Sequence, residues 1–273
     1  MQLTYLGTNT LMFEKSNQTL VIDPHFSRPG LFQLPRLCSE PGLVAQGLQR
    51  VGIRQLEAVL LTHTHYDHAL DLPEVIRQTG ATAYGSESAR QILLGAGLPE
   101  GRYHPVAHGK AYQIGPFEVC FHPARHIHFP VPLRWLLPES GRITAPLQPP
   151  APFWAYRCGE VYAIQLGRAL IFGSAGFEPG AYAGLDLETV VLGIGGLETR
   201  PDAYLRQLYK EAVLATGTRQ VWLSHWDNFF RPLARGMKHL AFSSRTVQRV
   251  KALGAKHGQT VAELPFSQPV DIG

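Results

Sequence analysis

The run Thr62-His63-Thr64-His65-Tyr66-Asp67-His68 constrains this chain more than any other stretch. It follows directly on residues 57–61 (EAVLL), an apolar segment bounded by polar residues that reads as a buried strand. Side chains alternate along an extended segment, so His63 and His65 point the same way. Two imidazoles on one face make two corners of a tetrahedral metal site. Asp67 and His68 follow as the chain turns toward a helix, and reach a second point nearby. Imidazole and carboxylate donors suit zinc, and also iron or manganese. A lone histidine would read as a surface residue. Four donor side chains in HxHxDH at a strand's end read as a metal site.

The rest of the chain supplies a frame of strands and helices around that run. Residues 2–6, 10–13 and 19–22 read as short strands separated by turn residues. Residues 43–51, 72–78 and 86–94 have helical spacing, with Ser86 as an N-cap. Residues 111–122 read as a hairpin around Gly115-Pro116. Strand patterns resume at 153–165, 169–172, 189–192 and 221–224, and helical ones at 201–216 and 243–253. Strands followed by helices, twice over, are compatible with two sheets flanked by helices. Between 129 and 152 the composition changes. Seven prolines fall there, with Phe129 and Trp135, and that density predicts a long loop or lid. No linker divides the chain, so residues 1–273 read as a single domain.

Composition narrows the function classes. Hydrophobic residues are 45% and charged residues 17%, which supports a core and excludes a disordered chain. The net charge of +4 comes from scattered residues, so no nucleic-acid arm is expected. No apolar run is long enough to span a bilayer, and residues 1–15 alternate like a strand rather than a secretory signal. A cytoplasmic location is the expectation. Cys38, Cys120 and Cys158 are odd in number and far apart, so reduced thiols are expected.

HTHYDH resembles the signature of the metallo-β-lactamase superfamily, most closely the branch with ascorbate-6-phosphate lactonase and the N-acylphosphatidylethanolamine phospholipase D enzymes. The resemblance implies an α/β fold, an αββα four-layer sandwich of two mixed sheets flanked by helices. It also implies a dinuclear site at one edge of the sheets and further donors at later strand ends. His126 fits the mid-chain donor and His225 the late one. Asp23, in Val21-Ile22-Asp23-Pro24, matches the aspartate that supports a ligand histidine from behind. One group is then His63, His65 and His126, the other Asp67, His68 and His225. Ser174 departs from the pattern, standing where an aspartate bridges both metals. Without that charge, repulsion between two dications about 3.5–4 Å apart weighs more and the second metal binds more weakly. Asp227 is a candidate substitute. His65, where oxygen-reducing diiron relatives carry glutamate, argues against that chemistry.

The implied chemistry is hydrolysis. Zinc, as one or two ions, lowers the pKa of bound water to roughly 7, with Mn²⁺ or Fe in the same role. Asp67 orients the hydroxide and carries its proton toward the leaving group. The expected substrate is a small molecule, anionic or amphipathic: an ester, phosphorylated lactone or phosphodiester. Arg125 and Arg157 are candidates for holding an anionic group, and Phe229-Phe230 for closing the pocket. The alternative is a non-catalytic metal- or ligand-binding protein whose dinuclear centre Ser174 impairs. Of the remaining histidines, His25 and His128 are expected to line the pocket, and His122 to be a hydrogen-bonded core group.

Overall fold

In a computed structural model that describes residues 1–53, 55–130 and 140–272, the strands form two seven-stranded mixed sheets. The first sheet starts with an antiparallel meander of β1 (Gln2–Tyr5), β2 (Leu11–Lys15) and β3 (Gln18–Ile22). It continues in parallel through β4 (Ala58–Leu60), β5 (Thr82–Gly85) and β6 (Tyr103–Pro105). The second sheet repeats the scheme. β7 (Ala111–Ile114), β8 (Phe117–Ala124), β9 (Val161–Leu166) and β10 (Ala169–Phe172) are antiparallel. β11 (Thr189–Gly193), β12 (Gln220–Ser224) and β13 (Thr260–Glu263) then follow in parallel. β14 (Pro269–Asp271) closes the edge of the first sheet against β1.

The two-residue period of the strands decides which side chains meet. Leu20, Ile22, Ala58 and Leu60 enter the core between the sheets, with Tyr5, Phe13, Phe121 and Ile164. Their neighbours Val21, Val59 and Leu61 face the other way. They pack under α1 (Pro41–Arg50), α3 (Leu72–Thr79) and α4 (Glu87–Gly95), which follow the first sheet's strands; the one-turn α2 (Tyr66–Ala69) carries part of the histidine run. On the second sheet, α5 (Asp202–Ala212) and α6 (Ser243–Lys256) add Leu205, Leu208, Val247 and Val250 to the core. Val190, Val191 and Leu192 are all buried because the parallel strand β11 is covered on both faces. Each such side chain contributes about 1.5–3 kcal/mol of burial. The result is the αββα sandwich expected above.

Two expectations need adjusting. The strand expected over 153–165 is shorter. Pro152 leads into a 3-10 turn at Phe153–Ala155, Gly159 takes φ 68°, and extended pairing starts only at β9. Of the proline-rich segment, 131–139 lies outside the described residues, Trp135 included. Residues 140–152 pack on the helical layer: the Leu147 amide donates to the Gln91 carbonyl (3.0 Å), and Leu37 and Ala151 exchange backbone hydrogen bonds of 2.7 and 3.0 Å. Among the described residues no helix is long and apolar enough to cross a membrane.

This topology positions the site. β3 and β4 run parallel, as do β10, β11 and β12, so their C-terminal ends reach the same edge of their sheets. Asp23, the 62–68 run, Ser174 and His225 all leave those ends.

Candidate metal centre

The loop after β4 is held from both sheets. The Thr64 amide donates to the Cys158 carbonyl (2.9 Å), and the Tyr162 amide donates to the Thr62 carbonyl (2.8 Å). Gly173 has room for no side chain, since a Cβ there would lie 2.1 Å from Thr62 Oγ1. Within this frame the structure brings together every donor expected from the sequence. Donor atoms of His63, His65 and His126 lie within 4.8 Å of one another, and so do those of Asp67, His68 and His225. The two groups adjoin: the His63 and His68 rings are 3.9 Å apart, and Asp67 Oδ2 lies 3.1 Å from His225 Nε2 and 3.6 Å from His68 Nε2.

Asp23 sits behind both groups, fully buried. Its Oδ2 accepts from Asn9 Nδ2 (2.8 Å), from Thr62 Oγ1 (2.5 Å) and from His68 Nδ1 (2.8 Å), while Oδ1 accepts from the Thr62 amide (2.8 Å). Because Thr62 Oγ1 donates to Asp23, it accepts from His63 Nδ1 (3.0 Å). One carboxylate thus sets the tautomer of a histidine in each group and leaves each Nε2 as the donor atom. His126 donates Nδ1–H to the Ile127 carbonyl (2.8 Å), with the same consequence. His63 Nε2 is buried and has no hydrogen-bond partner. Buried polar atoms are rarely left so, and a cation facing that nitrogen would satisfy it. The donor set is nitrogen and carboxylate oxygen, which suits a transition-metal dication.

Electrostatics favours the ligating protonation state at His63, His126 and Asp67. Burial, then the neighbouring His68, holds the His63 ring well below the usual imidazole value; burial and His65 do the same for His126. Both are neutral with a lone pair to offer. For Asp67, burial would raise the carboxyl, but attraction to His68, whose ring the carboxylates of Asp67 and Asp23 in turn push up against burial, and the hydrogen bond from His225 outweigh it and keep the group ionised.

Backbone strain gathers at the same place. Thr8, Asp23, Arg28 and His225 all have left-handed φ, between 44° and 56°. Each such conformation costs on the order of 1–3 kcal/mol and persists because its surroundings over-determine it. The His225 amide is held by the Thr8 carbonyl (2.6 Å). Asp227 does not lean toward the metal positions as a substitute bridge. Its oxygens take the Thr8 amide (2.7 Å), the Tyr5 hydroxyl and Arg28. The reason is the guanidinium of Arg28, which is buried and needs a carboxylate partner. Ser174 lies in the cavity wall, and its Oγ accepts from the Ile127 amide (3.0 Å), tying it to the loop of His126.

The centre opens into a cavity of about 320 Å³, walled by Leu34, Ile127, Phe129, Phe153, Phe229 and Phe230. Glu198 is the acidic group on that wall that belongs to neither donor group. Arg125 is elsewhere, paired with Glu178 at the surface (2.6 Å). His25 is buried with both ring nitrogens unpartnered, its pKa pushed down to about 3 by burial. His122 bonds Gln165 (2.8 Å) as expected, but from a half-buried position rather than the core.

Comparison with known proteins agrees with this architecture. A metal-dependent hydrolase from Myxococcus xanthus is 27% identical over 224 residues, 80% of this chain and 66% of that one. The matches span between about two fifths and two thirds of the length of such curated relatives. A metallo hydrolase from the archaeon Ignicoccus hospitalis superposes with a TM-score of 0.58 at 17% identity, covering 98% of this chain and 97% of that one. A diiron β-hydroxylase from Streptomyces venezuelae gives 0.56 at 17% identity, covering 99% and 54%. At such identities the likeness is one of fold, and this fold carries more than one chemistry. The profile of the metallo-beta-lactamase superfamily matches residues 3–152, more than half of the chain, which therefore belongs to that superfamily.

Proposed function

We propose that this protein is a metal-dependent hydrolase in which His63, His65 and His126 hold one divalent cation and Asp67, His68 and His225 a second. The observation that carries the reading is the convergence of these six side chains, from three separate stretches, into two adjoining groups at the floor of an apolar cavity. When bound, a zinc, manganese or iron ion there supplies Lewis acidity and an acidified water. The chain's own residues do the rest. Asp23 fixes His63 and His68 in the tautomer that ligates. Asp67, ionised and 3.1 Å from His225 Nε2, orients the water and takes its proton. The aromatic wall excludes bulk water from the reacting centre.

The substrate is a carbonyl ester in this reading. A phosphorylated lactone or phosphodiester would call on the same centre, but it would also call on a cation in the wall, and among the described lining residues there is no lysine or arginine. Asp67→Asn tests the proposal. In metal-reconstituted protein it lowers kcat on an activated aryl ester by about 10²–10⁴-fold, the usual worth of a general base. Equal turnover by variant and parent would overturn the assignment.

A further inference from the structure

The cavity beside the donor groups carries information about substrate charge. Its wall contains seven apolar side chains that are not donors, among them four phenylalanines. The polar ones are mostly engaged within the protein. Thr199 Oγ1 donates to the Gly196 carbonyl (2.7 Å), and Ser174 Oγ accepts from the Ile127 amide (3.0 Å). Glu198 differs. It stands on a 3-10 turn, Leu197–Thr199, that follows β11 and the close approach of Gly195 to the His225 ring. It is half-buried, and its carboxylate accepts hydrogen bonds from the backbone amides of Glu198 and Gly196. Arg200, two residues on, donates to the His128 carbonyl and lies over the face of Tyr204, Arg125 pairs with Glu178, and Arg28 pairs with Asp227. A carboxylate in an apolar wall whose described lining holds no lysine or arginine disfavours a second anion there and favours a cation.

We propose that the site takes apolar esters of aromatic size whose remote end is neutral or cationic, and that Glu198 is the specificity residue that receives a cationic end and repels an anionic one. This rests on the hydrolase reading above. The volume of about 320 Å³ accommodates one substituted ring with a short acyl arm. Burial pushes the Glu198 carboxyl up, outweighing the hydrogen bonds from the Glu198 and Gly196 amides and the pull of His225, and a bound cation would offset that burial. The phenylalanines offer their faces to the same cation.

The test uses three para-substituted phenyl acetates that differ in charge at nearly constant shape: trimethylammonium, tert-butyl and sulfonate. With metal-reconstituted full-length protein, kcat/KM for the ammonium ester exceeds that for the sulfonate by about 10- to 100-fold, the span of one charge-assisted contact. In Glu198→Gln the ammonium-to-tert-butyl ratio, taken against the parent protein, falls about tenfold; comparing ratios cancels leaving-group reactivity and any general loss of folded protein. In parallel, binding of phenyltrimethylammonium is followed by NMR titration in both proteins. Preference for the sulfonate, or a ratio unmoved by Glu198→Gln, overturns the inference while leaving the hydrolase reading intact. No turnover of any ester, with phenyltrimethylammonium binding that weakens in Glu198→Gln, defeats the hydrolase reading and supports the cation-selective wall. Neither turnover nor Glu198-dependent binding defeats both.

Discussion

Asp23→Asn removes a charge at constant shape from the residue that stands behind both donor groups. Four donors converge on this buried carboxylate: the Thr62 amide, Thr62 Oγ1, Asn9 Nδ2 and His68 Nδ1. An amide in its place has one accepting oxygen and one donating nitrogen. If that oxygen takes the place of Oδ2, the nitrogen faces the Thr62 N–H, which is part of the backbone and cannot turn away. If the amide flips, the nitrogen faces three donors. In either orientation at least one buried donor loses its acceptor, at about 1–3 kcal/mol. The tautomers of His63 and His68 also lose their anchor, and supporting residues of this kind are worth about 10–100-fold in metal affinity. The expected result is a metal-free protein less stable by about 1–3 kcal/mol in urea unfolding. Zinc affinity, read by competition with a chromophoric chelator, falls by about 10–100-fold. Parent-like affinity and stability in Asp23→Asn would refute the claim that Asp23 organises both groups.

Two further perturbations test other parts of the account. Ser174→Asp places a carboxylate in the wall beside both groups and should tighten the second equivalent of zinc by about tenfold or more, seen as a second step in calorimetric titration; an unchanged isotherm would show that residue 174 does not face the second ion. Asp227→Asn leaves the buried Arg28 without its partner and should destabilise the metal-free protein by about 3–5 kcal/mol at pH 7. Burial raises the Asp227 carboxyl, but Arg28 and Tyr5 outweigh it and hold the group below its ordinary value. Its contribution is therefore present above the unfolded-state pKa of about 3.9 and lost as pH falls through the folded value. The gap between parent and variant should narrow below about pH 4 in urea melts; a gap independent of pH would contradict the pairing.

Much of the centre was legible because its donors occupy strand ends. HTHYDH follows an apolar strand, and His126, His225, Asp23 and Ser174 each follow a segment that pattern marks as extended. The supports were not legible for an equally physical reason. Arg28 meets Asp227 across 199 positions, and nothing in the spacing of either residue signals the pair. Asp227 is only a candidate substitute by its place two residues from His225, and a buried guanidinium claims it. β5, β6, β13 and β14 have three or four residues each, too few for a two-residue period to declare itself. Glu198 follows a glycine pair, and nothing in its spacing signals a cavity residue. Only the folded chain brings it into one cavity wall with Phe129 and Phe229.

The most direct test of the two donor groups is a metal count per chain, with the element identified by X-ray fluorescence on purified protein after reconstitution and removal of free metal. The account predicts at least one equivalent, rising toward two at saturating metal, with His126→Ala and His225→Ala each removing one. Less than about a tenth of an equivalent in the parent protein, or a content that neither substitution changes, would contradict it.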